Sequence, residues 1–129
     1  MKITAPLLVS AVCAALSLAS AAHGQTSLPV TGTSGGSSSS ADCGSLPAEP
    51  TYSFQVGPQA TSVSISVTGT GDQTLLMLGP DGRSRECVLA HDFNGGVMRS
   101  GGLFKPGTYD LYVGDLDGQG SPFTLDVSY

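Results

Sequence analysis

The heptapeptide TSVSISV, residues 61–67, constrains this chain more than any other stretch, because Val63, Ile65 and Val67 alternate with serine. A period of two places all three on one face of an extended strand. A helix, turning about 100° per residue, would put Ile65 on the opposite side from Val63. The pattern returns in Tyr109, Leu111 and Val113, and again in Phe123, Leu125 and Val127. TLLMLG, residues 74–79, is apolar on both faces, as a central strand of a sandwich can be. Between these runs lie VGP, GTGD, GPDG, FNGG, KPG and DGQG, which supply glycine for positive φ or proline for a fixed one. No stretch after residue 50 carries a helical period. The spacing predicts an all-β fold, a single small antiparallel β-sandwich or jelly roll of about seven strands, over 52–56, 61–68, 74–79, 85–90, 97–104, 108–114 and 122–128.

The first residues have a different character. Lys2 precedes the uncharged run LLVSAVCAALSLASAA, which reads as a secretory signal peptide over 1–24, with cleavage after Ala21 or Gly24. At roughly 15 residues the apolar run is short for a membrane span. Cys13 falls inside it, so the mature chain keeps Cys43 and Cys87, an even pair bound for a secreted or periplasmic, oxidising compartment. A disulfide between them is expected, and closing a loop of that length adds about 4 kcal/mol in the chain-entropy account. Residues 25–42 are rich in Ser, Gly and Thr and read as a flexible lead, leaving 43–129 as the sandwich. LPVTG, Leu28 to Gly32, matches a sortase sorting pattern, but the domain follows where a hydrophobic segment and a basic tail belong.

The formal net charge is −5, and losing Lys2 makes the mature protein one unit more acidic. That disfavours nucleic acid and anionic lipid as partners, since both are held by basic patches. With no tryptophan, the core must come from Val, Leu, Ile and a few Tyr and Phe.

GTGDQTLLMLGPDGRSRECVLAHDFNGGVMRSGGLFKPGTYDLYVGDLDGQGSPFTLDVS resembles the bacterial pre-peptidase C-terminal domain, a secreted β-sandwich akin to bacterial collagen-binding domains. The shared order is Asp72 before an apolar strand, the PDG turn from Pro80 to Gly82, the acidic loop HDFNGG, then PGTYDLYV and a closing FTLDVS. It covers roughly residues 52–129. The resemblance implies a non-catalytic accessory domain of secreted peptidases and related hydrolases. His91 and Asp92 stand where the family's acidic loop carries paired aspartates.

Two site chemistries remain to be weighed. His91 beside Asp92 invites a triad, but neighbours on an extended chain point to opposite sides. Metal binding has more behind it. If each strand runs antiparallel to its predecessor, alternate loops share one end and bring together Asp72, Asp92, Asn94, Asp115 and Asp117. Such hard oxygen ligands suit Ca²⁺. The competing explanation is that Asp, Asn and Gly are the commonest turn formers. Tyr109 is expected inward and Tyr112 outward, either as a contact for glycan or protein or as cross-strand packing. The chain therefore reads as a secreted, non-enzymatic binding or accessory module for a protein or glycan, with Ca²⁺ ordering one loop end. A structural subunit of an extracellular or envelope assembly is the alternative, and a peptidase inhibitor or small hydrolase comes third.

Overall fold

The computed structural model describes residues 27–93 and 96–129; the expected signal peptide, both of its cleavage points and Asn94 lie outside them. The described residues contain ten strands: β1 (Val30–Thr33), β2 (Ser38–Ser40), β3 (Gly44–Leu46), β4 (Tyr52–Val56), β5 (Thr61–Gly69), β6 (Gln73–Leu78), β7 (Arg85–Leu89), β8 (Val97–Phe104), β9 (Gly107–Asp115) and β10 (Pro122–Ser128). One 3₁₀ turn, Ala90–Asp92, joins β7 to the loop before β8. The strands form two antiparallel sheets, one ordered β1-β10-β5-β8, the other β2-β3-β9-β6-β7 with β4 also paired to β9. The all-β sandwich expected from the sequence is present, and the seven expected strands are β4 to β10, each within two residues of its expected bounds.

Alternation does the work it promised. Val63, Ile65 and Val67 of β5 meet Leu125 and Val127 of β10 within one sheet, and Leu75, Leu111 and Val113 face them from the other. Every one of these side chains is buried, so their burial supplies most of the driving force for closing the sandwich. Phe54, Phe104, Tyr109 and Tyr129 fill the end where β8 finishes and β9 begins, with the Phe54 and Tyr109 rings stacked at 5.5 Å between centroids.

The flexible lead expected over 25–42 is corrected by the structure, which orders it from Ser27 onward. Val30 to Thr33 pair with Leu125 to Pro122, so the LPVTG residues lie largely in an edge strand. The chain then crosses from one sheet to the other. Ser34 is buried at the crossing, and β2 and β3 form a hairpin that folds over the outer face of the second sheet. The lead lacks bulky apolar groups, and a composition argument assumes that a segment must bury its own. Here the partner supplies the burial: Leu76, Leu78 and Tyr112 point outward from β6 and β9, and Cys43 and Leu46, in the hairpin that the lead enters, cover them. Gly114 makes the close approach possible, because a Cβ there would lie 2.5 Å from Thr74 Oγ1 and 2.7 Å from the Ser45 carbonyl oxygen.

The expected disulfide is formed. Cys43, at the hairpin tip, bonds to Cys87 on β7, with their Cα atoms 5.9 Å apart. Beside it Arg85 donates from both terminal nitrogens to Asp42, at 2.6 and 2.7 Å. These two bonds, and a third from the Ser40 hydroxyl, hold the Asp42 carboxyl far below the usual carboxylate range. Among the described residues no helix is long and apolar enough to cross a membrane.

Candidate functional site at the acidic loop end

The loops after β5, β7 and β9 emerge at one end of the sandwich, as alternation of strand direction requires. Backbone bonds tie them together: Leu116 N donates to the Asp72 carbonyl at 2.9 Å, and Gly69 N to the Gly96 carbonyl at 3.0 Å. The end therefore exists as a unit, and the fate of each expected ligand can be read from it.

Asp72 and Asp117 meet. Their side chains are within hydrogen-bond reach, and this contact, followed by the Asp72 charge, raises the Asp117 pKa above the ordinary carboxylate value. Two carboxyls this close are relieved by a shared proton or by a cation. Asp115 lies beside them but serves another purpose. It is the last residue of β9, buried between the sheets, and its Oδ2 accepts from Ser34 Oγ at 2.9 Å while its Oδ1 accepts from Asp117 N at 3.0 Å. Ser34 Oγ also accepts from Ser121 N at 2.9 Å. Asp115 thus closes the gap between the sheets by fastening the lead and the last loop at once. Asp92 stands apart from the Asp72–Asp117 pair, on the 3₁₀ turn, and Asn94 is outside the described residues. Among the described residues no three His, Cys, Asp or Glu side chains are placed to hold a metal ion.

The His91–Asp92 reading needs one correction. Because Ala90–Asp92 is a 3₁₀ turn and not an extended strand, the two neighbours do not diverge: His91 Nε2 lies 3.6 Å from Asp92 Oδ1. Both side chains are more than half exposed, so the contact is a solvated ion pair when His91 is protonated. Tyr109 is inward as expected. Tyr112 does face outward, but it packs beneath the hairpin, and burial and the Asp110 charge push its hydroxyl pKa up. It is cross-strand packing and not a free contact residue.

The residue that sequence reasoning missed is Ser34. Among the many serines of the lead, nothing local marks it as the one that pairs with Asp115, 81 residues away. The apolar outer face of TLLML was the signal that something had to cover that sheet.

One further surface has shape. A cleft of about 650 Å³ runs between the edges of β7 and β8, lined by Glu86, Val88, Asp92, Phe93 and Arg99. Each of these strands pairs on one side only, β7 with β6 and β8 with β5, so both present free backbone groups along the cleft.

No family model matches the chain. An uncharacterized protein of Synechococcus elongatus is 37% identical over 105 residues, spanning 78% of this chain and 75% of that protein. The chain belongs to that protein's family. In three dimensions it is similar to the crystal structure of the pre-peptidase C-terminal domain of collagenase from Bacillus anthracis, with a TM-score of 0.55 at 22% identity, over 78% of this chain and 87% of that one. The fold anticipated from the PDG turn and the PGTYDLYV strand is therefore the fold present. The lead that straps the two sheets precedes the residues on which that resemblance rested.

Proposed function

We propose that the chain is a non-catalytic accessory module that binds a partner outside the cytoplasm. The observation that carries this reading is the way its buried polar groups are employed. Among the described residues Ser34, Gln73, Thr74 and Asp115 are the buried polar side chains, and each is engaged by a bond that joins one segment to another. His91, the histidine among the described residues, is exposed on a turn. A hydrolytic site needs a nucleophile, a base and an orienting group held together and partly desolvated. The fold shared with the collagenase domain supports the same reading, as does a disulfide suited to an oxidising compartment.

Between protein and glycan, the β7–β8 cleft favours protein, because two unpaired strand edges suit backbone pairing with an extended segment. The test is recovery of partners on immobilised protein from the native envelope or medium, with saturable binding then measured for the wild type and for Arg99→Glu. Loss of binding in the variant supports the cleft. Binding to purified glycan with no effect of Arg99→Glu refutes it, and regular filaments formed by the protein alone favour the assembly-subunit alternative.

The Asp72–Asp117 pair carries a second reading, in which Ca²⁺ replaces the proton between the carboxylates. The charge and the hard oxygen donors fit that ion, while the count of side-chain ligands makes water or backbone carbonyls necessary to complete its shell. Thermal melts decide it: an ion bound only by the folded state raises the midpoint at millimolar Ca²⁺ relative to chelator, and equal midpoints remove calcium from the account.

A further inference from the structure

We infer that the Cys43–Cys87 disulfide is a latch: when a dithiol reduces it, the β2–β3 hairpin lifts from the outer face of the second sheet while the sandwich beneath stays folded. The first support is the separation of two apolar clusters. The large core lies between the sheets and includes Ile65, Leu75, Leu111 and Leu125. The small one, made by Cys43, Leu46 and Leu76 with Leu78, Cys87 and Tyr112 around them, lies on the other side of β6 and β9. Removing the hairpin dismantles the second cluster and leaves the first untouched.

The second support is how lightly the hairpin tip is held otherwise. β3 meets β9 at a single register pair, Ser45 with Asp115. The tip adds one buried bond, from Thr74 Oγ1 to the Cys43 carbonyl at 2.7 Å, and the bonds that Arg85 donates to Asp42 and, at 3.1 Å, to Ser40 Oγ, with the Asp42 and Arg85 side chains 52% and 41% exposed. Exposed ion pairs are weak and screened by salt. By contrast the segments before the hairpin are fastened independently, through the β1–β10 ladder and the Ser34–Asp115 bond. The disulfide is therefore the tie whose loss frees the tip, and Ser34 is where the opening stops.

The third support is access. Cys43 is wholly buried, but Cys87 is only half-buried and lies on β7, an edge strand. A thiolate of the dithiol attacks Cys87 Sγ, the S–S bond breaks, and its electron pair leaves on Cys43 Sγ, which takes up a proton. The second sulfur of the dithiol then attacks the mixed disulfide, closing the oxidised reagent and releasing Cys87 as a thiol. Two electrons pass to the protein and the dithiol becomes a disulfide. Opening uncovers Leu76, Leu78 and Tyr112, a change of surface that a partner could read.

The experiment is hydrogen–deuterium exchange of the intact protein with and without dithiothreitol, with reduction verified by mass. Exchange in peptides covering 38–46 is expected to accelerate about tenfold or more, while peptides of β5 and β10 keep their protection. Reoxidation should restore the slow rate. Two results overturn the inference: hairpin exchange unchanged in fully reduced protein, or acceleration of equal size throughout the chain, which would make the bond a global staple. Arg85→Ala, which removes the remaining tie to β7, should speed hairpin exchange further in the reduced protein and barely at all in the oxidised one; the same effect in both states also counts against the latch.

Discussion

Replacing Ser34 by alanine tests most directly whether the Ser/Gly-rich lead is part of the fold. The hydroxyl donates to the Asp115 carboxylate and accepts from Ser121 N, both at 2.9 Å, and the residue is 4% exposed. A hydrogen bond to a charged group is worth about 1.5–3 kcal/mol and one between neutral groups about 0.5–1.5, so Ser34→Ala should cost about 2–4 kcal/mol. The upper part of that range applies if no water enters to serve Asp115. Urea denaturation followed by circular dichroism reads the cost as a lower midpoint at unchanged slope. Ser39→Ala, exposed on β2, is the matched control and should stay within about 0.5 kcal/mol. A double-mutant cycle with Asp115→Ala should show coupling of about 1 kcal/mol or more, since the two side chains share one bond. If Ser34→Ala proves as mild as Ser39→Ala, the lead is the loose tether its composition suggests and the strap is refuted.

Other outcomes follow from the same geometry. Leu76→Ala should cost about 2–4 kcal/mol in the same assay, a core-like penalty on the outer face of a sheet, because the hairpin seals that face. Gly114→Ala should destabilise by about 1–3 kcal/mol, since its Cβ would press on Thr74 Oγ1 and on the Ser45 carbonyl. Asp72→Asn should raise the melting temperature at neutral pH and lose that advantage in acid: a carboxyl such as Asp117, held above its ordinary pKa, favours the folded state at low pH and forfeits that contribution as pH rises through the folded value. Asp42 has the opposite sign, so Asp42→Asn should be harmful at neutral pH, the harm fading as pH falls from the ordinary carboxylate range toward the much lower folded value, read from melts across that interval.

Much of the fold was legible because its signals are local. Val63, Ile65 and Val67 mark their face within seven residues, and the PDG turn declares itself through Asp81, whose carboxylate accepts from the backbone N–H groups of Arg83 and Ser84. The convergence of Asp72 and Asp117 was also within reach, since antiparallel order alone sends their loops to one end. What escaped were facts that need a partner. Ser34 is one serine among many until Asp115 is seen behind it, and β1 has no apolar stripe of its own because it borrows a ladder from β10. Asp115 looked like a loop ligand since strand ends are uncertain by a residue or two, yet one residue decides whether a side chain faces water or the gap between sheets. His91 and Asp92 looked divergent only on the assumption of extended backbone.

The pairing of β1 with β10 also sets how the domain answers a pull. Ser27 N donates to the Val127 carbonyl, so the described chain enters and leaves at the same end, side by side. Tension applied between those two points loads the β1–β10 ladder like a zipper, one bond at a time from its open end, and not in shear with all bonds sharing the load. The first strand would peel at low force until the separation reached Ser34. There the geometry changes: the strand is clamped between Asp115 and Ser121, and further extension must break both contacts together before it can drag on the hairpin and its covalent link to β7. A segment that composition marks as slack thus behaves as a compliant spring with a hard stop.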